Sequence, residues 1–229
     1  TTSDHIAALN LVANDGTHTG GNAKITATVE AALATLDVDN LKTASTDIIA
    51  YSVTDTDLVN ADISDLNTLK GKTAGVVTIG GVTATASQLS SLNTGTTDAV
   101  TLTASGSTNT VAEALVLARK TNALTNISIV GITDTQAQIS GTGVANTATG
   151  LSELKTLVGS SPTTAQAIDA LYNRVTGSVT ISGGAIDVDN AVNISSFTVG
   201  SGGSAISYTI SDSAGDDTSG NEGLATTTS

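Results

Sequence analysis

The sequence predicts an α/β fold in which short strands alternate with helices of one to three turns. Apolar residues switch repeatedly between alternating and helical spacing along the chain. Several phrases recur, and Thr, which favours strands, supplies 41 of the 229 residues. Each strand–helix unit is too small to bury its apolar face alone. We therefore expect neighbouring units to stack into a solenoid-like body or an elongated mixed sheet.

The strongest recurrence is a short apolar strand that runs into a Thr/Ser-Asp-Thr/Ser turn. It occurs at 48–56, 127–135 and 206–213, and its aspartates are Asp55, Asp134 and Asp212, which lie 79 and 78 residues apart. An aspartate in such a turn accepts backbone N–H groups, either in an Asx turn or as the cap of a following helix.

Further strands and helices follow from spacing. Val77–Gly81 and Val179–Gly184 have the pattern of alternating strands that stop at glycine. Helical spacing predicts helices at 29–33, 63–69, 85–92, 111–115, 151–158 and 163–175, the last directly after Pro162.

Composition divides the chain into three parts. Residues 1–25 form an N-terminal extension, 26–210 the repetitive α/β body, and 211–229 an acidic Gly/Ser/Thr-rich C-terminal segment. Both ends have low complexity, which is typical of linkers or of segments held by a neighbour. The chain starts at Thr1 and has no Met, so we expect a processed product or a piece of a longer chain.

Charge and composition exclude several classes of protein. The net charge is −13, and the aromatic residues are one Phe and three Tyr. A nucleic-acid-binding protein needs a basic face and usually stacking aromatics. The apolar runs are too short for a membrane-spanning helix. We therefore predict neither nucleic acid nor a membrane span, and the absence of Cys excludes disulfides.

The stretch Val82–Thr96 reads VTATASQLSSLNTGT. It resembles a repeat of very large bacterial surface and secreted proteins, notably cyanobacterial ones, and the Ile-Thr-Asp-Thr phrase is similar to another unit of such proteins. Thr-Ala-x-x-Leu-Asn phrases also occur in phage tail fibres. The resemblance implies an extracellular or cell-surface structural or adhesive protein, of the adhesin or S-layer kind, often with calcium.

Calcium is the one cofactor that the residues themselves suggest, because it takes six to eight oxygen ligands from loop carboxylates and carbonyls. Two patterns offer such oxygens: an acidic Gly-rich loop near the C-terminus and a repeated Asp-Val-Asp-Asn tetrapeptide. In the tetrapeptide, an extended backbone would place both carboxylates on one side. The alternative is that all these acids are solvated or cap turns. The candidate ligands are Asp37, Asp39, Asp187, Asp189, Asp212, Asp216, Asp217 and Glu222.

No catalytic residue is predicted. His5 and His18 are the only imidazoles, and no nucleophile elbow, phosphate loop or metalloprotease motif is present. We expect a structural protein, not an enzyme, that self-associates into a surface layer, filament or adhesin stalk. The alternatives are a glycan-binding module of a phage tail fibre or adhesin, which predicts an aromatic-lined groove, and a secreted hydrolase that depends on His5 or His18.

Overall fold

The computed structural model describes residues 2–13 and 24–184, together with positions 186, 191, 194, 197, 199, 206 and 207. Within the described residues, eight strands alternate with eight helices. The strands are β1 (Thr26–Ala31), β2 (Ile48–Val53), β3 (Leu58–Val59), β4 (Val77–Thr85), β5 (Ala99–Ser105), β6 (Ile127–Ile129), β7 (Ile132–Thr135) and β8 (Val179–Ser182). The helices are α1 (Thr2–Ala13), α2 (Leu33–Leu36), α3 (Ile63–Gly71), α4 (Ala86–Leu89), α5 (Val111–Leu117), α6 (Gln136–Ile139), α7 (Leu151–Val158) and α8 (Thr164–Tyr172).

The strands form a six-stranded sheet of order β1-β2-β4-β5-β6, in which β3 also pairs with β4, and a two-stranded sheet of β7 and β8. All these pairings are parallel, so the sheets are not mixed. Parallel neighbours need a crossover, which the helices supply. The α/β class predicted from the sequence is confirmed.

Strands that pair are close in sequence as well as in space. Pairing joins Thr26 to Ile48, Tyr51 to Val77, Thr78 to Ala99 and Leu102 to Ile127. β7 and β8 pair Ile132 with Val179. A longer connection, which contains α6, α7 and α8, joins these two strands. Apart from β3, the order of the strands along the chain is therefore also their order across the first sheet.

The hydrophobic core lies between the helices and one face of the sheet. Alternate strand residues point into it, including Tyr51, Ile79 and Leu102, which are at most 1% exposed. The helices contribute mainly leucines, such as Leu66 and Leu89. With one Phe and no Trp, the core depends on aliphatic side chains, as the composition predicts.

The prediction of a helix at 29–33 is wrong. Val29 and Ala31 belong to β1 and point into the core, while Glu30 between them points to solvent. This alternation is possible because the backbone pairs with β2 over its whole length. The helix begins two residues after the strand, at Leu33, so strand pairing overrides the helical preference of Glu and Ala.

The prediction that the strand after Val77 stops at glycine is also wrong. β4 continues through Gly80 and Gly81 to Thr85, and its register against β5 shifts between Ile79 and Val82. A Cβ at Gly80 would lie 2.6 Å from the carbonyl oxygen of Asp55, and one at Gly81 would lie 2.5 Å from that of Thr56. The glycines therefore admit a neighbouring backbone at a bulge instead of ending the strand.

The other predicted helices occur near their expected positions. Thr85 caps α4 and Thr163 caps α8, and in each case a glutamine three residues later completes a capping box. α8 ends at Tyr172, three residues before the predicted end. No helix among the described residues is both long and apolar enough to cross a membrane.

Candidate assembly edge and the contacts between units

The first strand of the sheet has one unpaired edge among the described residues. The carbonyl groups of Ile25 and Ala31 accept hydrogen bonds from Ile48 and Thr54, at 2.7 and 3.1 Å. Alternate residues of a parallel strand bond to the same neighbour. The backbone N–H and C=O groups of Thr26, Thr28 and Glu30 therefore point away from β2, and no described strand pairs with them. We call this the β1 edge.

The helix α1 packs beside this edge in the way that α3 packs further along the chain. Asn10 on α1 accepts a hydrogen bond from the backbone N–H of Lys42 at 3.0 Å, and its amide donates to the Asn40 carbonyl at 3.4 Å. Asn67 on α3 makes the same pair of bonds, accepting from Asn93 N–H at 2.7 Å and donating to the Ser91 carbonyl at 3.0 Å. The polar contacts of one unit are therefore repeated in another.

Ile6 is 6% exposed and anchors α1 on the core, so this part of the predicted N-terminal extension packs on the body. At the other end of the chain, Ser207 forms a parallel bridge with Thr180 of β8. Its N–H donates to the Val179 carbonyl, and its own carbonyl accepts from Ile181. Parallel bridges from Asn109 to Ile132 and from Ile129 to Val175 join the two sheets, so one ladder of parallel segments runs from β1 past β8.

Two buried aspartates, Asp47 and Asp98, join neighbouring units. Each follows a Leu-x-Thr-x-x-Thr phrase and precedes a strand. Asp98 accepts the N–H groups of Gly95 and Val77, both at 2.8 Å. Asp47 accepts in the same way from the N–H groups of Ala44 and Ile25, at 2.8 and 3.0 Å. These two aspartates were not predicted from the sequence, although the repeated phrase was a usable signal.

Asp98 also accepts from the ammonium of Lys70 at 2.8 Å, in an ion pair whose carboxylate is fully buried. The Lys70 ammonium donates in addition to the Gly75 carbonyl at 3.1 Å. The pair is thus hydrogen-bonded to backbone on both sides, which offsets the free energy of removing the charges from water. It connects α3 to the loops before β4 and β5.

Asp55 and Asp134 of the recurring Thr-Asp-Thr phrase do cap helices, but not the helices that follow them. Asp55 accepts the N–H of Leu33, the first residue of α2, at 2.6 Å. Asp134 accepts that of Val111, the first residue of α5, at 3.0 Å. Each therefore caps the helix of the preceding unit. α2 lacks a side-chain cap of its own, because Ala32 stands at its N-cap. The third aspartate, Asp212, lies outside the described residues.

Threonines and basic residues add further bonds between units. The Thr73 hydroxyl accepts from Ile49 N–H at 2.9 Å, and the Thr94 hydroxyl donates to the Lys120 carbonyl at 2.8 Å. Lys120 in turn donates to the Leu92 carbonyl at 2.6 Å. Burial lowers the pKa of this ammonium, and the neighbouring charge of Arg119 lowers it further. No buried side-chain polar atom among the described residues lacks a hydrogen-bond partner.

Of the predicted calcium ligands, Asp37 and Asp39 fall within the described residues, and both are exposed. The extended backbone assumed for them is wrong. Asp37 has a left-handed conformation at the end of α2, and both its carboxylate oxygens accept from the Asn40 amide at 2.9 Å. A left-handed residue at this position ends the helix, so the chain leaves α2 in a turn. Asp187, Asp189, Asp212, Asp216, Asp217 and Glu222 lie outside the described residues. Within the described part, no three His, Asp or Glu side chains are grouped to hold a metal ion.

The aromatic residues that the structure describes lie in the core or pack against it. Tyr51 and Tyr172 are at most 1% exposed, and Phe197 packs edge-on against Tyr172 with 5.7 Å between ring centroids. An open groove of about 580 Å³ lies between α7 and the loop at 122–125, and its lining contains no aromatic residue. His5 lies exposed on α1, and His18 is outside the described residues.

Burial raises the pKa of Tyr172, and the negative charges of Asp134 and Asp169 raise it further. Its hydroxyl donates to the Ile139 carbonyl at 2.7 Å. A tyrosine in the unfolded chain loses its proton near pH 10. Above that pH, the unfolded state therefore binds fewer protons than the folded state, and stability falls as pH rises.

We predict that urea unfolding midpoints decline above about pH 10, and that Tyr172→Phe declines less steeply than the native chain. The variant starts lower at neutral pH, by about 1 kcal/mol, because it lacks one hydrogen bond. Parallel slopes for the two proteins would contradict the assignment to Tyr172. Tyrosinate absorbance provides a second measurement, since Tyr172 should ionise only on unfolding.

Comparison with protein-family models, with curated proteins and with solved structures gives no match for this chain. Its function is therefore argued from its own residues.

Proposed function

We propose that this chain is a structural subunit or segment of an extracellular assembly, such as a surface layer, filament or adhesin stalk. The observation that carries the proposal is the β1 edge at one end of a ladder of parallel strands. An exposed edge is a template for a strand from another chain. Addition of a strand there would extend the ladder in the direction in which it is already built.

The two ends of the ladder are different surfaces, because β1 begins it and Ser207 continues it beyond β8. A contact between one end of a copy and the other end of the next is heterologous. Such contacts form an open fibre when the rotation between copies does not close a ring. The proposed product is therefore a filament of copies joined head to tail.

The contacts between units support a solenoid-like stacking in this proposal. Asparagines, aspartates and threonines bond to the preceding or following unit at repeated positions, as in the pairs Asn10 and Asn67, Asp47 and Asp98, and Asp55 and Asp134. In repeat proteins, each unit gains stability chiefly from its neighbours. A neighbouring copy would provide the same kind of contact to the terminal units.

An extracellular location is part of the same proposal. It rests on the resemblance of Val82–Thr96 to repeats of bacterial surface proteins and on a surface that is rich in hydroxyl groups. The competing glycan-binding function predicts an aromatic-lined groove, whereas Tyr51 and Tyr172 are buried in the core. No described feature favours a hydrolase.

The test uses Thr28→Pro, which removes an N–H group that points out from the β1 edge and leaves the pairing with β2 in place. Proline is tolerated at such edge positions. We expect the native chain to form filaments in electron microscopy and Thr28→Pro to form none. Thr28→Ala, which keeps the N–H group, is the matched control and should still form filaments.

Circular dichroism would verify that both variants are folded, and calcium and a chelator would be compared, since the predicted calcium ligands remain candidates. A native chain that stays dispersed at high concentration under every condition would refute the proposed assembly. Filaments of Thr28→Pro equal to those of Thr28→Ala would refute the role of the β1 edge.

A further inference from the structure

The face of the six-stranded sheet that points away from the helices exposes apolar side chains. The described residues expose six large hydrophobic side chains, and two of them, Leu11 and Val12, are on α1. The other four are Ile48, Val59, Val76 and Val130, which are between 38% and 50% exposed. We call the surface that contains these four the outer sheet face.

The strand registers place these four residues on the same side of the sheet. Val59 pairs with Thr83, which pairs with Thr103, and Thr103 pairs with Ser128, two residues before Val130. Val77 pairs with Tyr51, so the preceding residues Val76 and Ala50 lie side by side. Ile48 is two residues before Ala50 on the same strand and therefore shares its face. Directly paired residues share a face, and so do alternate residues of one strand.

This surface is almost free of charge in a strongly acidic chain. The chain has 21 acidic and 8 basic residues. Only two of these charged residues, Glu30 and Asp134, lie in the described strands. Glu30 pairs with Ser52 and therefore lies on this face, but at its edge strand, and Asp134 is in the second sheet. Two copies of a chain with net charge −13 repel each other over most orientations. The outer sheet face is where they approach with least repulsion.

Parallel sheets are normally covered on both faces. Here the helices cover one face, and among the described residues the outer sheet face has no comparable layer. We infer that the outer sheet face is covered by the same face of a second copy of this chain. The contact is isologous, with sheet packed on sheet about a two-fold axis.

This inference extends the proposed assembly from end-to-end growth to side-by-side pairing, but it does not require the β1 edge. Five strands about 4.8 Å apart and about seven residues long give roughly 500 Å² of surface for each partner. Stable complexes bury about 800 Å² for each partner. The isolated pair is therefore weak, and filaments that present many such faces would associate far more tightly.

The test is made on the full chain carrying Thr28→Pro, so that end-to-end growth is blocked. Sedimentation equilibrium should show a reversible dimer, strengthened at high salt because salt screens the repulsion between acidic copies. Adding Val76→Glu or Val130→Glu places a charge on the outer sheet face and should raise the dimer dissociation constant at least about tenfold. Leu11→Glu adds the same charge at an exposed apolar residue of α1 and should leave it unchanged.

A Thr28→Pro chain that remains monomeric up to roughly millimolar concentration, the range of the weakest measurable dimers, would overturn the inference. Equal effects of Val76→Glu and Leu11→Glu would also overturn it. In the chain with Thr28 intact, Val76→Glu should give single filaments where the native chain gives filaments associated in pairs. Failure of the paired faces is thus distinguishable from failure of the β1 edge, which abolishes the filaments themselves.

Discussion

Replacing Asp98 by Asn should destabilise the protein by about 3–5 kcal/mol, as expected when one partner of a buried ion pair is removed. The Asp98 side chain is fully buried and accepts from Lys70, Val77 and Gly95. The variant leaves the Lys70 ammonium, which is 20% exposed, without its counter-charge. It also puts an amide donor where the carboxylate accepted. Urea unfolding monitored by circular dichroism measures the change in free energy.

Asp47→Asn is the matched control, because Asp47 occupies the same position in its unit and accepts from Ile25 and Ala44 N–H groups. We expect it to lose about 1–3 kcal/mol, because it leaves two partly buried backbone N–H groups without their acceptor. The double variant Lys70→Met with Asp98→Asn should recover part of the loss, since the unpaired charge is gone. Equal losses for Asp98→Asn and Asp47→Asn, with no recovery in the double variant, would show that the ion pair contributes nothing.

Gly150→Ala should destabilise the protein by about 3 kcal/mol or more, through overpacking added to backbone strain. Gly150 precedes α7 with φ +89°, and a Cβ there would collide with the backbone carbonyl of Leu115 on α5. Neither backbone can yield without moving a helix, because the Leu115 side chain is buried. Thermal and urea unfolding would both report the loss.

Gly159→Ala separates the two contributions. Gly159 ends the same helix with φ +78°, but a Cβ there meets nothing within 4 Å. With ψ 179° it lies in a region that is essentially restricted to glycine, so Gly159→Ala bears backbone strain alone, about 1–3 kcal/mol. If the two variants were equally stable, the contact between the start of α7 and α5 would not be close in solution.

The elements that the sequence predicted well are those whose signals are local. Thr85 and Thr163, each followed by Gln three residues later, mark the starts of α4 and α8. Ile63, Leu66 and Leu69 have the spacing of a helix face, and all three are buried in α3. In such places, propensity, capping and periodicity indicate the same structure.

The features that could not be predicted depend on partners about 22 residues or more away. The residue types at Val29–Ala31 favour a helix, but pairing with β2 makes this segment a strand. The repeated phrase before Asp98 marks that residue, but it does not indicate that the carboxylate is fully buried and accepts from Val77. Asp55 was expected to bond within its own turn or to cap the helix after it, whereas its partner Leu33 lies 22 residues earlier in the chain. Only the three-dimensional stacking specifies which backbone groups these side chains meet.

Some backbone N–H groups obtain their hydrogen-bond acceptor from a residue later in the chain. This order has a consequence for folding during synthesis. Leu33 obtains its cap from Asp55, and Val77 obtains its acceptor from Asp98, after about two dozen further residues have been added. Closing loops of this length carries a modest and nearly constant entropic penalty. A chain that is synthesised from its N-terminus should therefore fold progressively, from the N-terminus towards the C-terminus. Its folding should be fast, as is typical of proteins with low contact order.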